Sequence, residues 1–259
     1  MPVNPDLYKP LNDFFDHIYV ITLQRATERH EEIKKELNGL NFNFFEATDY
    51  KDFSRDELIQ SGIYDPIKAR ATHRYGKEMR LGLLACTISH KSVYEDVLKN
   101  AYSRVLIFED DVVPNEEGIL HFNEIIQELP PDWGVLYFDY AKNTNNGFFS
   151  ILKKLVYHIQ KNLGFLKWSH KTIGNLYARK YSTHLKKAGY HDFASAYAIT
   201  RETAATLVKM QTPIIYFSDQ VLPIACTEEL THGFISIPKL FIQQSQLHKE
   251  QVGSYVEET

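Results

Sequence analysis

Cysteine, glycine and long apolar runs are all scarce in this chain of 259 residues. The two cysteines, Cys86 and Cys226, are far apart and in no metal-type spacing, which suits free thiols in a reducing compartment. The 12 glycines build no phosphate-cradling loop. No apolar run approaches the roughly 18 residues of a membrane-spanning helix. The first residues, Met1 to Asp6, lack the basic-then-apolar pattern of a signal peptide. A cytoplasmic protein is expected, one still able to touch a membrane surface. The net charge of −4 gives no global pointer to nucleic acid, and there is no internal repeat or low-complexity segment. What is present, 44% hydrophobic and 24% charged residues, is ordinary globular composition. The length suits one large α/β domain or two small ones.

The chain is organised around Val105-Leu106-Ile107-Phe108-Glu109-Asp110-Asp111. Four large apolar residues without alternation read as a strand buried on both faces, as in a parallel sheet. Unpaired carboxylates are too costly to bury, so the strand must end at Glu109 with the acids at its carboxyl edge. That edge is where open α/β sheets bind ligands. Alternation sends Glu109 and Asp111 to one side and Asp110 to the other. Two carboxylates on one side suit a hard divalent cation. Pro114, which cannot donate a backbone hydrogen bond, confirms that this strand has ended; the competing reading is a solvated acidic turn after a core strand.

Other strands and helices alternate around this one, which argues for βαβ units and a mostly parallel sheet. His17 to Leu23 reads as the first strand. A helix from Gln24 to about Leu37 follows, with Arg25 and Arg29 on one face. Two arginines just past a strand suit recognition of a phosphate or nucleobase carbonyl; Glu28, Glu31 and Glu32 are the alternative, ion-pair partners. Phe42 to Ala47 is a second strand. Residues 48 to 80 read as irregular, with one short helix near Ser54 to Gln60. Helices are expected over Leu81 to Asn100, which carries Ser89 and His90, and over Ile119 to Leu129. Gly134 to Phe138 is a strand, Asp192 to Thr200 a loop and strand, and Arg201 to Lys209 a short helix. Ser218-Asp219 reads as the N-cap of a helix to about Glu229, although a carboxylate at a helix start beside a cleft could equally act as a base. Ile235 to Gln243 ends the regular structure, and a polar tail containing His248 follows.

Charge is unevenly placed. From Ile151 to Lys187 there are nine Lys or Arg and no Asp or Glu, leaving −13 for the rest. Within this stretch Phe148, Leu152, Leu155, Ile159, Leu163 and Leu166 follow helical spacing, with lysines on the other side. Such a basic amphipathic helix suits an anionic membrane surface; the alternative is an ordinary helix packed on the domain.

Several segments, taken together and in order, resemble glycosyltransferase family 25. They are Leu23-Gln24-Arg25 through Arg29, Phe45-Glu46-Ala47, Cys86-Thr87-Ile88-Ser89-His90, Phe108-Glu109-Asp110-Asp111, Ala196-Tyr197-Ala198-Ile199-Thr200-Arg201, and Ser218-Asp219. The resemblance spans about residues 17 to 243. It departs from the family pattern at Leu83, where a Glu often follows the helix glycine, and at Ala85, where a Gly precedes the cysteine. The basic stretch has no family counterpart. The resemblance implies a GT-A fold: one Rossmann-like α/β domain over residues 1–259, with a basic helical insert at about 143–190 and a polar tail from about 244. It implies inverting transfer of a hexose, galactose or glucose, from a UDP-sugar to a saccharide acceptor. A bacterial, lipid-linked lipooligosaccharide is the acceptor expected, in the manner of a β-1,4-galactosyltransferase. Mn²⁺ or Mg²⁺ would be held by Asp111 and Glu109, with His248 as a further ligand. Asp110, Arg25, Arg29, Ser89 and His90 would face the donor, and Asp219 would be the base. Two other readings use the same acids: a metal-dependent phosphohydrolase or nucleotidyltransferase, and a degenerate sugar-binding protein anchored to a membrane.

Overall fold

A computed structural model describes residues 7–192 and 194–247. In chain order its elements are α1 (Lys9–Phe14), β1 (His17–Thr22), α2 (Thr27–Glu36), β2 (Asn43–Glu46), α3 (Arg55–Gln60), α4 (Pro66–Thr72), α5 (Leu81–Lys99), β3 (Arg104–Glu109), β4 (Val112–Pro114), α6 (Glu116–Ile119) and α7 (Phe122–Glu128). Then come β5 (Val135–Tyr137), α8 (Phe148–Asn162), α9 (His170–Gly174), β6 (Arg179–Lys180), β7 (Leu185–Lys187), β8 (Ala196–Thr200), α10 (Arg201–Met210), α11 (Ser218–Thr227), β9 (Gly233–Ser236), β10 (Phe241–Gln243) and α12 (Gln244–Leu247).

Eight strands form one sheet in the order β2-β1-β3-β8-β5-β9-β7-β6. The pairings make β8 and β7 run against the other six. The expected α/β fold with a mostly parallel sheet is observed. Side-chain alternation explains the layers. Along β3, Leu106 and Phe108 pack with Leu11, Ile33 and Phe122 from α1, α2 and α7. Val105 and Ile107 turn to the other face, against Val93, Leu207 and Val221 from α5, α10 and α11. Both faces of the central strands are thus covered, which is why their sequences are unbroken apolar runs.

Several expected boundaries change. Arg25 lies in the turn before α2, so it shares no helix face with Arg29. The stretch 48–80 contains a second helix, α4, started by Pro66 and capped by the Asp65 carboxylate on the Lys68 N–H. The expected 119–129 helix is two helices. Its first part, α6, is held by the late chain: Asn115 Nδ2 donates to Lys239 O at 2.7 Å, and a Cβ on Gly118 would stand 2.1 Å from that same oxygen. The strand running into the acids has ended before Pro114, as expected; Pro114 is the last residue of a further short strand, β4, which pairs antiparallel with β10 through Pro114↔Phe241, Ile242↔Val113 and Gln243↔Val112. A two-stranded ribbon leaves the proline's missing donor on an unpaired side. The insert expected to be helical is only partly so, because β6 and β7 within it extend the central sheet.

Candidate active site

The carboxyl ends of β1, β3 and β5 converge on one edge of the sheet, and the acids gather there. Glu109 is the last residue of β3 and follows Ile107 onto the α5 face. There its Oε1 lies 3.3 Å from Nε2 of His90. His90 is 1% exposed, and its other nitrogen, Nδ1, is 2.8 Å from the Tyr197 hydroxyl, which in turn bonds Tyr94. Burial disfavours a charged imidazole here. Hydrogen bonds to Cys86 and Glu109 act the other way and hold His90 up at about 10. Cys86, His90 and Glu109 present ligand atoms within 4.8 Å of one another. With both ring nitrogens engaged and the Cys86 sulfur 3.2 Å from the Ser218 hydroxyl, this trio is a hydrogen-bonded support that fixes the Glu109 carboxylate.

The turn after β3 separates the next two acids. Asp110 is tied on both oxygens: Thr22 Oγ1 donates to Oδ2 and Arg29 Nη1 to Oδ1, each at 2.6 Å. That pair is largely buried and locks α2 to the acidic turn. Asp111 points toward the late chain. Its Oδ2 accepts from Gln243 Nε2 at 2.9 Å, and its backbone oxygen accepts from the Gln244 N–H at 2.7 Å. Asp111 Oδ1 and Gln243 Oε1 are both buried with no hydrogen-bond partner. Burial first, then the nearby Glu109 and Asp110 charges, push the Asp111 carboxyl up to about 7.

Two orphaned oxygens among repelling carboxylates are a chemical environment that a divalent cation relieves, since hard cations take oxygen ligands. The residues therefore fit the expected metal, with Asp111, Glu109 and Gln243 as the set that would hold it. Gln243 was not among the sequence candidates. His248 lies outside the described residues.

Asp219 lies in the first turn of α11. It is not the cap expected from sequence: the N-cap position is Phe217, without a side-chain bond. Ser218 instead uses its N–H on Thr87 Oγ1. The Asp219 residue is exposed, yet protein surrounds its carboxylate closely. That burial, with the Asp192 and Glu109 charges, pushes it up to about 6, while His90 acts in the other direction.

The remaining candidates divide. Arg25 pairs with Asp49, Nε to Oδ2 at 2.6 Å, and holds the Asp49 carboxyl below its usual range; its side chain is 41% exposed at the cleft edge. Ser89 does not face a donor. It is buried, receives the Thr48 N–H and donates to Ala85 O, and so tethers the loop after β2 to α5. Asp139, which follows β5, was missed by the sequence reading. It is fully buried and accepts from Ser195, Lys239, the Gln243 N–H, Gln246 and the Tyr140 N–H. Its signal was available: Val135-Leu136-Tyr137-Phe138-Asp139 repeats the pattern of Val105 to Glu109.

The model of one protein family, described as glycosyltransferase family 25 (LPS biosynthesis protein), matches residues 15–222. The chain belongs to glycosyltransferase family 25. Its α/β architecture is consistent with the GT-A-like fold. It is similar to a glycosyltransferase 25 family member of Anopheles gambiae, 30% identical over 80% of this chain and 31% of the relative. It also resembles procollagen galactosyltransferase 2 of Mus musculus, 26% identical over 48% of this chain and 20% of that protein. A human relative named inactive glycosyltransferase 25 family member 3 is 28% identical over 50% of this chain and 22% of that protein. The chain thus covers under a third of each of these longer relatives.

Proposed function

We propose that the chain transfers a hexose from a nucleotide diphosphate sugar to a saccharide hydroxyl, with inversion at the anomeric carbon. The observation that carries this is two sets of groups: Asp219, whose carboxyl is pushed up to about 6 by the protein packed around it and by the Asp192 and Glu109 charges, and the orphaned oxygens of Asp111 and Gln243. One group can take a proton near neutral pH; the others can hold a counter-charge for a diphosphate.

The residues divide the work by chemistry. Asp219, ionised above about pH 6, accepts the proton of the acceptor hydroxyl as that oxygen attacks the anomeric carbon. The sugar–phosphate bond breaks on the opposite face, and its electrons leave with the diphosphate. A divalent cation, Mn²⁺ or Mg²⁺, would be held by Asp111, Glu109 and Gln243 and would supply charge stabilisation to that leaving diphosphate. His90 fixes Glu109 in orientation. Arg25, the more exposed partner of its ion pair, exchanges Asp49 for the donor's nucleotide or phosphate. Arg29 and Thr22 hold Asp110 in place, so its oxygens position the turn rather than the ribose.

For the donor, UDP-galactose is the choice best supported, since similar proteins carry the name procollagen galactosyltransferase. For the acceptor, a lipid-linked saccharide of the lipooligosaccharide type agrees with the family description and with the basic stretch of the chain.

The test is nucleotide release from UDP-galactose, UDP-glucose and UDP-N-acetylglucosamine, with Mn²⁺ and with a chelator. Cation-dependent UDP release from one donor, lost in Asp219→Asn, is the expected result. Release of phosphate or sugar phosphate in place of UDP would replace the proposal with a phosphohydrolase. Donor binding without turnover would make the chain a sugar-binding protein without transferase activity; two relatives carry names that call them inactive or probably inactive.

A further inference from the structure

The helix α8 is turned inside out. In a helix packed on a soluble domain, the apolar stripe faces the body and the polar face meets water. Here Phe148, Phe149, Leu152, Leu155, Ile159 and Leu163 are all exposed, Phe148 at 79% and Phe149 at 82%. The side that meets the body carries Ser150, Lys154, Tyr157 and Lys161, the less exposed positions of the helix. These recur at the spacing of one helical face, with 3.6 residues per turn. Among the described residues no helix is long and apolar enough to cross a membrane, so α8 presents its apolar face without spanning.

We propose that α8 is a docking helix that seats this face on an anionic lipid bilayer. The charge around it selects the occupant. The stretch from Ile151 to Lys187 holds nine Lys or Arg and no acid. Lys153, Lys167 and Lys180 are exposed, and long basic side chains flanking an apolar face reach headgroups while their stems stay in the apolar layer. A second copy of this chain would bring the same positive charge against itself, which opposes pairing through this face.

The helix is also firmly seated relative to the site. The Tyr157 hydroxyl accepts from Arg74 Nη2 at 2.7 Å, and the Arg74 guanidinium lies 4.1 Å from the Trp168 ring centroid. Trp168 packs on Tyr190 with centroids 4.6 Å apart, and both share a cluster with Ile224 of α11, the helix that carries Asp219. One aromatic stack therefore links the underside of α8 to the Asp219 side of the cleft. A lipid surface met by α8 would lie beside the cleft wall that carries Asp219. This inference stands apart from the transfer chemistry and is tested without it.

The experiment is co-sedimentation of the full chain with vesicles of phosphatidylcholine alone and of an equal mixture with phosphatidylglycerol. Wild type should bind the mixed vesicles roughly tenfold more than the neutral ones. The difference should shrink with salt, as the Debye length falls toward about 3 Å at 1 M. The triple variant Leu152→Ser, Leu155→Ser, Ile159→Ser changes only exposed positions, so it should keep its circular dichroism and melting temperature and lose vesicle binding. The variant Lys153→Glu, Lys167→Glu, Lys180→Glu should lose the preference for anionic lipid. Equal binding to both vesicle types, binding to neither, or wild-type binding by the serine variant would overturn the proposal. So would a dimer, seen by light scattering, that the serine variant abolishes while vesicles are ignored.

Discussion

Gln243 donates from Nε2 to Asp111 Oδ2 at 2.9 Å, and each of the two side chains keeps a second oxygen buried and unpartnered. The contact joins the turn after β3 to the end of β10. It couples the acidic motif to the last of the described strands, and it leaves both groups under electrostatic stress until something positive arrives. That stress has measurable consequences.

The first concerns Asp111. Its carboxyl is pushed up to about 7, well above the ordinary carboxylate range. Between that range and about 7 the folded protein binds a proton that the unfolded chain has released. Stability without metal therefore falls as pH rises from about 4 to 7 and stays lowered above. Asp111→Asn removes the effect and should stabilise the metal-free protein at pH 8 by on the order of 1–3 kcal/mol. Mn²⁺ should raise the melting temperature of wild type and leave that of the variant unchanged. Calorimetric melts at pH 5 and 8, with and without Mn²⁺, check both points.

Asp219 should show itself in turnover. A base works only when ionised, so kcat should fall as pH drops through about 6, the value to which its surroundings push it. Asp219→Asn should lower kcat by roughly 10²–10⁴ while donor KM stays near wild type. A pH–rate profile of UDP release, run on both proteins, reads the two effects together. An unchanged profile in the variant would place the base elsewhere.

Arg25 and Arg29 should part ways. Arg29→Ala leaves Asp110 largely buried without its cationic partner and should cost about 1.5–3 kcal/mol of folding stability. Arg25→Ala breaks a more exposed pair with Asp49 and should cost under about 1 kcal/mol. It should instead weaken UDP binding by about 1.5–3 kcal/mol, the scale of a lost charge-assisted bond. Urea unfolding and titration calorimetry with UDP separate the two arginines.

Among the described residues, Asp139 accepts hydrogen bonds from five partners. Asp139→Ala would strand Lys239, whose ammonium lies 2.9 Å from Oδ1, and release Gln243 and Gln246. The expected loss is about 3–5 kcal/mol, as for breaking a buried ion pair. Urea unfolding measures it. Asp139→Asn, which keeps the shape, should lose less.

Much of this was legible in the residues, and the failures have physical causes. The buried strand ending in Glu109 was legible because an unbroken apolar run that meets three acids leaves few places for the charges. The same logic applied to Val135 through Asp139 was passed over, since a single acid after a strand reads as an ordinary turn. Gln243 could not be read, because its importance comes from a β4–β10 pairing across 132 residues. Asp110 and Asp111 were assigned by strand alternation, but the strand stops at Glu109 and a turn aims them instead. For α8, periodicity separated an apolar face from a basic one and said nothing about which of them meets the body. Ser89 matched a family segment by position, and only its buried hydrogen bonds reveal a tether.

The position of β8 carries a consequence for how the molecule is made. This strand is filled by residues 196–200 and sits between β3 and β5, bonded to both. During synthesis β2, β1 and β3 are complete long before β8 exists. The edge of β3 that ends in Glu109 must therefore wait, unpaired and apolar, for roughly ninety residues of further chain. Open strand edges of this kind recruit other chains. A chain halted before Ala196 should aggregate through β3, and a chain extended past Thr200 should not. The strand that completes the acidic edge is thus also the one that ends the nascent protein's exposure to its neighbours.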